Sequence, residues 1–355
     1  MSRPTFAQID FDVLSSNLRV VRDLCPKSKV MAVVKADAYG HGAVLACKAL
    51  SDADAFAVAS IDEALLLRNA DCTHPICILS GFGDREELEL LAQYSLTPVI
   101  HSSTQLEVLS HVNLTRRIDV WVKIDSGMHR LGFPGESLPT VLQQLRAHPA
   151  IGAIRLISHL ANAEDTSDHY TTAQLNAFRQ SCAGHNCELS LANSAGLVAW
   201  PETHMDWVRP GIMLYGVSSL PERNAAELGL RPAMTFRSAV IAVKQLKQGD
   251  RIGYGGSWTC PEAMSVAVIA CGYGDGYPRH AVSGTPVLIC GRRAPVVGRI
   301  SMDLLSVDLR RHQDVTVGTP AVLWGAGLPV EEVARWVGTN AYQLLCSVTA
   351  RVPRI

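Results

Sequence analysis

The sequence lacks a strong net charge and any long uninterrupted apolar run. Its 32 Lys and Arg residues nearly balance its 33 Asp and Glu residues, which predicts no nucleic-acid partner and no membrane partner. No stretch approaches the roughly 18 consecutive apolar residues of a membrane span, and the opening MSRPTFAQID has no apolar signal-peptide core. We therefore expect a cytoplasmic protein.

The ten cysteines include no C-x-x-C pair. Most lie in apolar runs, as Cys77 does in PICILSG and Cys271 in VAVIACGYG. This placement favours reduced cysteines that pack as small apolar residues over disulfides or metal ligands, and we predict no metal site. Cys290 and Cys346 are interpreted in the same way.

Short apolar strands alternate with amphipathic segments between about residues 29 and 216. The strands are continuous apolar runs, as expected for a parallel sheet buried on both faces. In the helical pattern LPTVLQQLRAH, one face carries Leu138, Val141, Leu142 and Leu145. Eight strand–helix units predict a TIM-type (β/α)8 barrel. A doubly wound open sheet is the alternative, but no G-x-G-x-x-G follows the first strand.

The residue pattern changes from alternating strands and helices to mainly strands after about residue 228. The segments MTFRSAVIAVKQLKQGDRIGYGGSW and TPVLICGRRAPVVGRISMDLLSVDL are rich in β-branched residues and turn glycines. We predict a barrel domain over residues 1–228 and a mainly β domain over residues 229–355, with one late helix at VEEVARWVG.

Polar residues stand at the ends of several predicted barrel strands, where barrel enzymes hold their active sites. They are Lys35, Lys123, Arg130, His159, Asn193, Ser194 and Arg209. Taken alone, each of these residues has a common structural explanation: a lysine can extend to solvent, for example, and a histidine can be hydrogen-bonded in the core. Their convergence on one face of a barrel is what favours a shared functional site.

A lysine that closes an apolar strand can have its pKa lowered by burial, and a neutral amine can form a Schiff base with a carbonyl group. Two reaction types fit, a lysine aldolase and a pyridoxal-phosphate enzyme. Barrels commonly bind phosphate at the loops after the seventh and eighth strands. Here those loops read ANSAG and RPGI, with the Ser194 hydroxyl and the backbone amides of Gly211 and Ile212.

Seven motifs, in order, resemble those of the bacterial alanine racemases, nearest to the enterobacterial type. They are VVKADAYGHG, VKIDSGMHRLGF, SHLANAED, DWVRPGIMLYG, IGYGGSW, GYGDGYPR and VGRISMD. The resemblance covers essentially the whole chain. It implies a homodimeric fold-type III pyridoxal 5'-phosphate enzyme that interconverts L- and D-alanine by two-base proton transfer, supplying D-alanine for peptidoglycan or degrading it.

The resemblance also implies roles for individual residues. Lys35 matches the residue that carries the cofactor as an internal aldimine, and Tyr254 matches the second catalytic base. Arg130 and the Met302 backbone amide match the groups that bind the substrate carboxylate. The tyrosine and the methionine would reach the cofactor from the other subunit. The remaining cofactor-binding matches are Tyr39, His159, Ser194, Arg209, Gly211 and Ile212.

Three further positions are singled out by the match. Lys123 aligns with a lysine that is carbamylated in several members, although pairing with Asp125 is a simpler role for it. Tyr273 matches a residue at the active-site entrance. Ala350 stands where some members carry a tyrosine that reaches the cofactor phosphate, so we expect modestly weaker cofactor binding or a substituting water.

Three alternatives compete with this interpretation. A fold-type III decarboxylase would use an acidic residue where Arg209 stands. A non-catalytic pyridoxal-phosphate carrier would resemble the barrel alone, without the domain that holds Tyr254 and Met302. A broader-specificity racemase would usually carry an export signal.

Overall fold

A closed barrel of eight parallel strands occupies the first part of the computed structural model, which describes residues 3–114 and 116–355. A first strand, β1 (Phe6–Ile9), precedes it. Each barrel strand pairs with the next along the chain, and the last pairs with the first. The barrel strands are β2 (Lys29–Val33), β3 (Ala55–Val58), β4 (Ile76–Ile78), β5 (Thr97–Ile100), β6 (Ile118–Lys123), β7 (Ile151–Ile157), β8 (Leu189–Ser190) and β9 (Trp207–Val208). Seven of them lie within the predicted apolar runs, and β7 begins three residues before its predicted run, IRLISHLAN. The predicted barrel is confirmed.

Helices precede and connect the barrel strands. They are α1 (Phe11–Leu24), α2 (Lys35–Gly40), α3 (Ala43–Ala49), α4 (Ile61–Asn69), α5 (Arg85–Gln93), α6 (Ser103–Ser110), α7 (Leu138–Ala147), α8 (Tyr170–Cys182) and α9 (Ser194–Ala199). The side chains of Ser60, Asp84 and Ser102 cap α4, α5 and α6, because each accepts a hydrogen bond from an otherwise unpaired amide of the first turn. The four apolar residues predicted on one face of α7 are all buried.

The second part of the chain is mainly β, as predicted. Its strands are β10 (Met234–Leu246), β11 (Arg251–Ile252), β12 (Trp258–Thr259), β13 (Met264–Ile269), β14 (Pro286–Ile289), β15 (Arg292–Pro295), β16 (Leu305–Asp308) and β17 (Pro320–Trp324). Six of them form a sheet in the order β15-β14-β17-β10-β13-β16, and β11 pairs with β12. Two helices follow, α10 (Val330–Val337), which the sequence predicts, and α11 (Ala341–Ser347), which it does not.

The two ends of the chain meet in this second sheet. Strand β1 pairs antiparallel with β10, although it precedes the barrel in sequence. On its other side, the amide of Ala7 donates to the carbonyl of Pro353 at 2.9 Å, and the amide of Ile9 donates to that of Ile355 at 2.8 Å. The backbone groups of β1 are therefore satisfied by the C-terminal part of the chain, not by the barrel.

All ten cysteines are free, as predicted, and six of them are buried. Cys290 and Cys346 are exposed, so the packing role predicted for these two is wrong. Among the described residues, no helix combines the length and the apolar character that crossing a bilayer would need.

Candidate active site

A cavity of about 510 Å³ opens at the carboxyl ends of the barrel strands. Side chains that lie far apart in sequence meet there because parallel barrel strands all end on the same face. Ten of the predicted site residues line it, namely Lys35, Tyr39, Lys123, Arg130, His159, Asn193, Ser194, Arg209, Gly211 and Ile212. No acidic side chain lines this cavity in the part of the chain that the structure describes. Its four cationic residues favour an anionic ligand.

Lys35 lies just beyond the end of β2, at the cavity wall. Burial lowers the pKa of its amine, and the nearby charge of Arg130 lowers it further. Glu63 opposes this effect, and its carboxylate also accepts hydrogen bonds at 2.7 Å from the amides of Ala36 and Ala59. A lysine with a lowered pKa has a larger neutral, nucleophilic fraction, which suits covalent bonding to a carbonyl carbon.

The residues after Lys35 adopt a left-handed turn. Ala36, Asp37, Ala38 and Tyr39 have φ between 52° and 54°, and none of them is glycine. Left-handed helical conformation costs an L-residue about 1–2 kcal/mol, so four in succession need compensating contacts. One such contact is the hydrogen bond from the amide of Ala43 to Oδ1 of Asp37, at 2.7 Å. The turn places Tyr39 on the same cavity wall as Lys35.

Hydroxyl and amide groups cluster at one end of the cavity. The amide of Gly211 donates to Oγ of Ser194 at 2.9 Å. A Cβ atom at position 211 would lie only 2.5 Å from the Tyr39 hydroxyl oxygen, so any larger residue here would force the phenol to shift. Burial raises the pKa of Tyr39, which keeps its phenol protonated and able to donate. Such a cluster of neutral donors suits a phosphate group.

Arg209 lies deep in the barrel and is only 4% exposed. Its guanidinium donates to the Ser190 hydroxyl and to the carbonyl of Ser158, and its Nη2 lies 3.3 Å from Nδ1 of His159. Burial, and then the charges of Arg209 and Lys123, hold the pKa of His159 well below its usual value. The pair is therefore a cationic guanidinium beside a neutral imidazole.

Lys123 lines the cavity at the end of β6. Burial lowers the pKa of its amine to about 8, and the charges of Arg209 and Arg130 act in the same direction. The carboxylate of Asp125 is bonded by His129, whose Nδ1 lies 3.2 Å from Oδ2. Asp125 is thus hydrogen-bonded by His129, while its charge still partly opposes the lowering of the Lys123 pKa.

Two cavity residues from the C-terminal part of the chain, Tyr342 and Cys346, were not among the predicted site residues. Both lie on α11, and the ring of Tyr342 is centred 5.9 Å from that of Tyr39. Their spacing of four residues places them on one helical face, which is the signal that could have identified them. Ala350, by contrast, is exposed and does not line the cavity.

Three predicted site residues lie outside this cavity. Tyr254 is 69% exposed, Met302 is 53% exposed and Tyr273 is 36% exposed, all on the mainly β part of the chain. The loops of Tyr273 and Met302 are joined, because the amide of Gly274 donates to the Met302 carbonyl at 2.8 Å. Within one chain, the structure does not bring Tyr254 or Met302 together with Lys35.

Comparison with known proteins gives concordant results. The family model described as "Alanine racemase, N-terminal domain" matches residues 9–219, and "Alanine racemase, C-terminal domain" matches residues 233–355. An alanine racemase of Nitrosococcus oceani is 50% identical over 98% of each chain, and one of Nitrosospira multiformis is 48% identical over 100% of each. The crystal structure of the biosynthetic alanine racemase from Pseudomonas aeruginosa matches with a TM-score of 0.97 and 44% identity over 99% of each chain.

Proposed function

This chain belongs to the alanine racemase family and has alanine racemase function, and from that premise we propose how its own residues divide the work. The proposal is that the cavity holds pyridoxal 5'-phosphate at Lys35 and that Lys35 and Tyr254 move the proton on the two faces of alanine. The single observation that carries it is the convergence of a half-buried lysine, a phosphate-type donor cluster and the Arg209–His159 pair in one cavity.

The donor groups of the cavity fit this cofactor. The amine of Lys35 suits its aldehyde carbon, since burial favours the neutral form. Tyr39, Ser194, Gly211 and Ile212 would hold its phosphate, and Arg209 would face its ring nitrogen. When bound, this cofactor supplies the electron sink that makes the Cα–H bond of an amino acid acidic.

The substrate carboxylate is assigned to Arg130 and to the backbone amide of Met302. Arg130 brings a guanidinium to the cavity wall, and a guanidinium binds a carboxylate through two parallel hydrogen bonds. This contact fixes the orientation of the amino acid. With the carboxylate held, Cα presents one face to Lys35 and the opposite face to Tyr254.

Proton transfer is assigned to these two groups. Lys35 takes or returns the proton on the face that serves D-alanine, and the Tyr254 phenol does so on the face that serves L-alanine. Positive charge near the Tyr254 phenol would stabilise its anion and so allow it to act as a base. Arg209, acting through His159, supplies that charge.

Arg209 also limits side reactions in this proposal. A guanidinium does not readily give up a proton, so it would leave the facing ring nitrogen unprotonated. Negative charge at Cα would then be poorly stabilised, and Lys35 or Tyr254 would return the proton promptly.

The complete site needs a second copy of the chain. Tyr254 and Met302 are large, exposed apolar side chains, and the cavity of the same chain contains neither. We propose a head-to-tail homodimer in which these residues, with Tyr273 at the entrance, complete the cavity of the other subunit. A cytoplasmic location stays a prediction, which cell fractionation would check.

The test is racemisation by the purified chain with added pyridoxal 5'-phosphate. We expect D-alanine to form from L-alanine, with visible absorbance from cofactor bound at an amine. A protein that racemises alanine without this cofactor would contradict the proposal. Growth of a deletion strain with and without added D-alanine distinguishes a role in D-alanine supply from a role in D-alanine breakdown.

A further inference from the structure

Two side chains donate hydrogen bonds to the backbone carbonyl oxygens of the segment that follows Lys35. Nδ1 of His41 lies 3.0 Å from the carbonyl oxygens of both Ala38 and Tyr39. Because both partners are acceptors, Nδ1 carries the ring proton and donates to them. Nε of Arg354 donates to the carbonyl of Gly40 at 2.8 Å. Three consecutive carbonyls at the end of the left-handed turn are thereby held by two side chains.

Arg354 also holds the end of α11. Its Nη2 donates to the carbonyl of Val348 at 3.1 Å, directly after the helix. Its Nη1 donates to the carbonyls of Thr349 and Val352. Since α11 carries Tyr342, one guanidinium joins the wall that bears Tyr342 to the wall that bears Lys35.

The two walls touch at Gly40. A Cβ atom at this position would lie 2.4 Å from the carbonyl oxygen of Leu345, on α11. Gly40 also has φ of 80°, which favours glycine for a second reason. A shift of α11 would therefore displace the turn directly.

His41 joins the turn to the barrel. It is 1% exposed, and its ring lies 4.6 Å from that of Tyr215. The Tyr215 hydroxyl donates to the carbonyl of Val33 at 2.9 Å, at the end of β2. Tyr39 packs on the same Tyr215 ring, with the two centres 4.8 Å apart. His41 thus fixes the turn against the aromatic group that supports Tyr39.

We propose that His41 and Arg354 are positioning residues that lock the left-handed turn and α11 together, and so set the affinity of the cavity for pyridoxal 5'-phosphate. This inference rests on the proposed function of the cavity. Neither residue lines the cavity, so both act through Lys35, Tyr39 and Tyr342. Their loss should weaken cofactor retention more than it slows turnover at saturating cofactor.

The experiment compares cofactor affinity with global stability. His41→Leu and Arg354→Met remove the donors, whereas His41→Asn places an amide N–H near the position of Nδ1. Arg68→Met is the matched control, because Arg68 also donates to four backbone carbonyls, those of Cys72, His74, Tyr94 and Ser95, away from the cavity. Each variant is titrated with pyridoxal 5'-phosphate, followed for cofactor loss from the holoenzyme, and unfolded thermally.

We expect the dissociation constant of the cofactor to rise about tenfold or more in His41→Leu and Arg354→Met, while kcat at saturating cofactor falls less than about threefold. His41→Asn should stay within about threefold of the wild type. Arg68→Met should lower the unfolding temperature and leave the dissociation constant unchanged. Wild-type affinity in the first two variants, or an equal loss in Arg68→Met, would overturn the proposal.

Two milder comparisons decide the question if the first variants do not fold. His41→Gln places its amide at the position of Nε2, so it should bind cofactor more weakly than His41→Asn. Arg354→Lys keeps a charged donor at one nitrogen only, so its affinity should lie between those of the wild type and Arg354→Met. Equal affinity of the two His41 variants would contradict the inference, whereas a wild-type chain that binds no cofactor would instead refute the proposed function.

Discussion

Nη2 of Arg209 lies 3.3 Å from Nδ1 of His159, and both residues line the active-site cavity. A guanidinium can only donate, so Nδ1 accepts and the proton of the neutral imidazole is on Nε2. The same Nη2 donates to the carbonyls of Ser158 and Leu191, which holds the guanidinium in place. The pair therefore presents an oriented N–H group, backed by a fixed positive charge.

Arg209→Lys should reduce both stability and turnover. A lysine keeps the charge but cannot bond Ser190, Ser158 and His159 together, so we expect a loss of about 1–3 kcal/mol in the free energy of unfolding. Loss of the imidazole orientation should lower kcat by about tenfold or more. Urea unfolding and steady-state kinetics test this, and a stable variant with wild-type kcat would contradict the role of the pair.

Lys35→Ala should abolish racemisation and the visible absorbance together. General acid–base catalysis contributes about 10²–10⁴-fold, and loss of the covalent anchor for the cofactor adds to this effect. Lys27→Ala, which changes an exposed lysine, is the control and should behave as the wild type. Retained activity in Lys35→Ala would remove the central assignment.

Mixed dimers should regain activity if Tyr254 serves the other subunit. Lys35→Ala and Tyr254→Phe chains are each expected to be nearly inactive. After random exchange, half of the dimers are mixed and one of their two sites has both intact residues, which gives about one quarter of wild-type activity. Recovery is measured after mixing under conditions that permit subunit exchange. No recovery, despite exchange shown by native mass spectrometry, would place Tyr254 in the site of its own chain.

Lys123 should react with carbon dioxide. A carbamate forms only on a neutral amine, and a pKa of about 8 leaves roughly a tenth of the Lys123 amines neutral at pH 7. The carbamate would be an anion beside Arg130, whose guanidinium it could fix. Carbon-13 NMR with labelled bicarbonate should show a carbamate signal that Lys123→Ala lacks. A signal that persists in this variant would assign it to another amine.

His41 should make the protein less stable in acid. Burial lowers the pKa of His41 from 6.5 to about 4. Between pH 6.5 and pH 4, His41 therefore binds a proton in the unfolded chain but not in the folded chain. The free energy of unfolding therefore falls as the pH drops from about 6.5 to 4, by up to about 3 kcal/mol from this group. Comparing the slopes of wild type and His41→Asn over this range isolates the contribution. Identical slopes would show that His41 does not cause it.

The sequence was a good guide to the barrel because its signals are local. Each strand is a continuous apolar run, and several runs end in polar residues that line the cavity, as at Lys35, Lys123 and Arg209. Parallel connectivity then forces the strand ends to one face, so these residues converge without further information.

The left-handed turn after Lys35 could not be predicted from the local sequence. The turn contains no glycine that would indicate positive φ. Its residues, Ala36, Asp37, Ala38 and Tyr39, have no intrinsic preference for this conformation. The conformation depends on partners that include Glu63 and Arg354, and the second of these lies more than 300 residues away in sequence.

The sequence by itself determined the succession of eight strands, the mainly β second part and the residue types at the strand ends, because apolar periodicity and strand-end polarity are encoded within a few residues. Only the tertiary structure decided that β1 joins the C-terminal sheet and that Tyr342 and Cys346 line the cavity. These arrangements come from long-range hydrogen bonding and packing between segments that no local pattern relates.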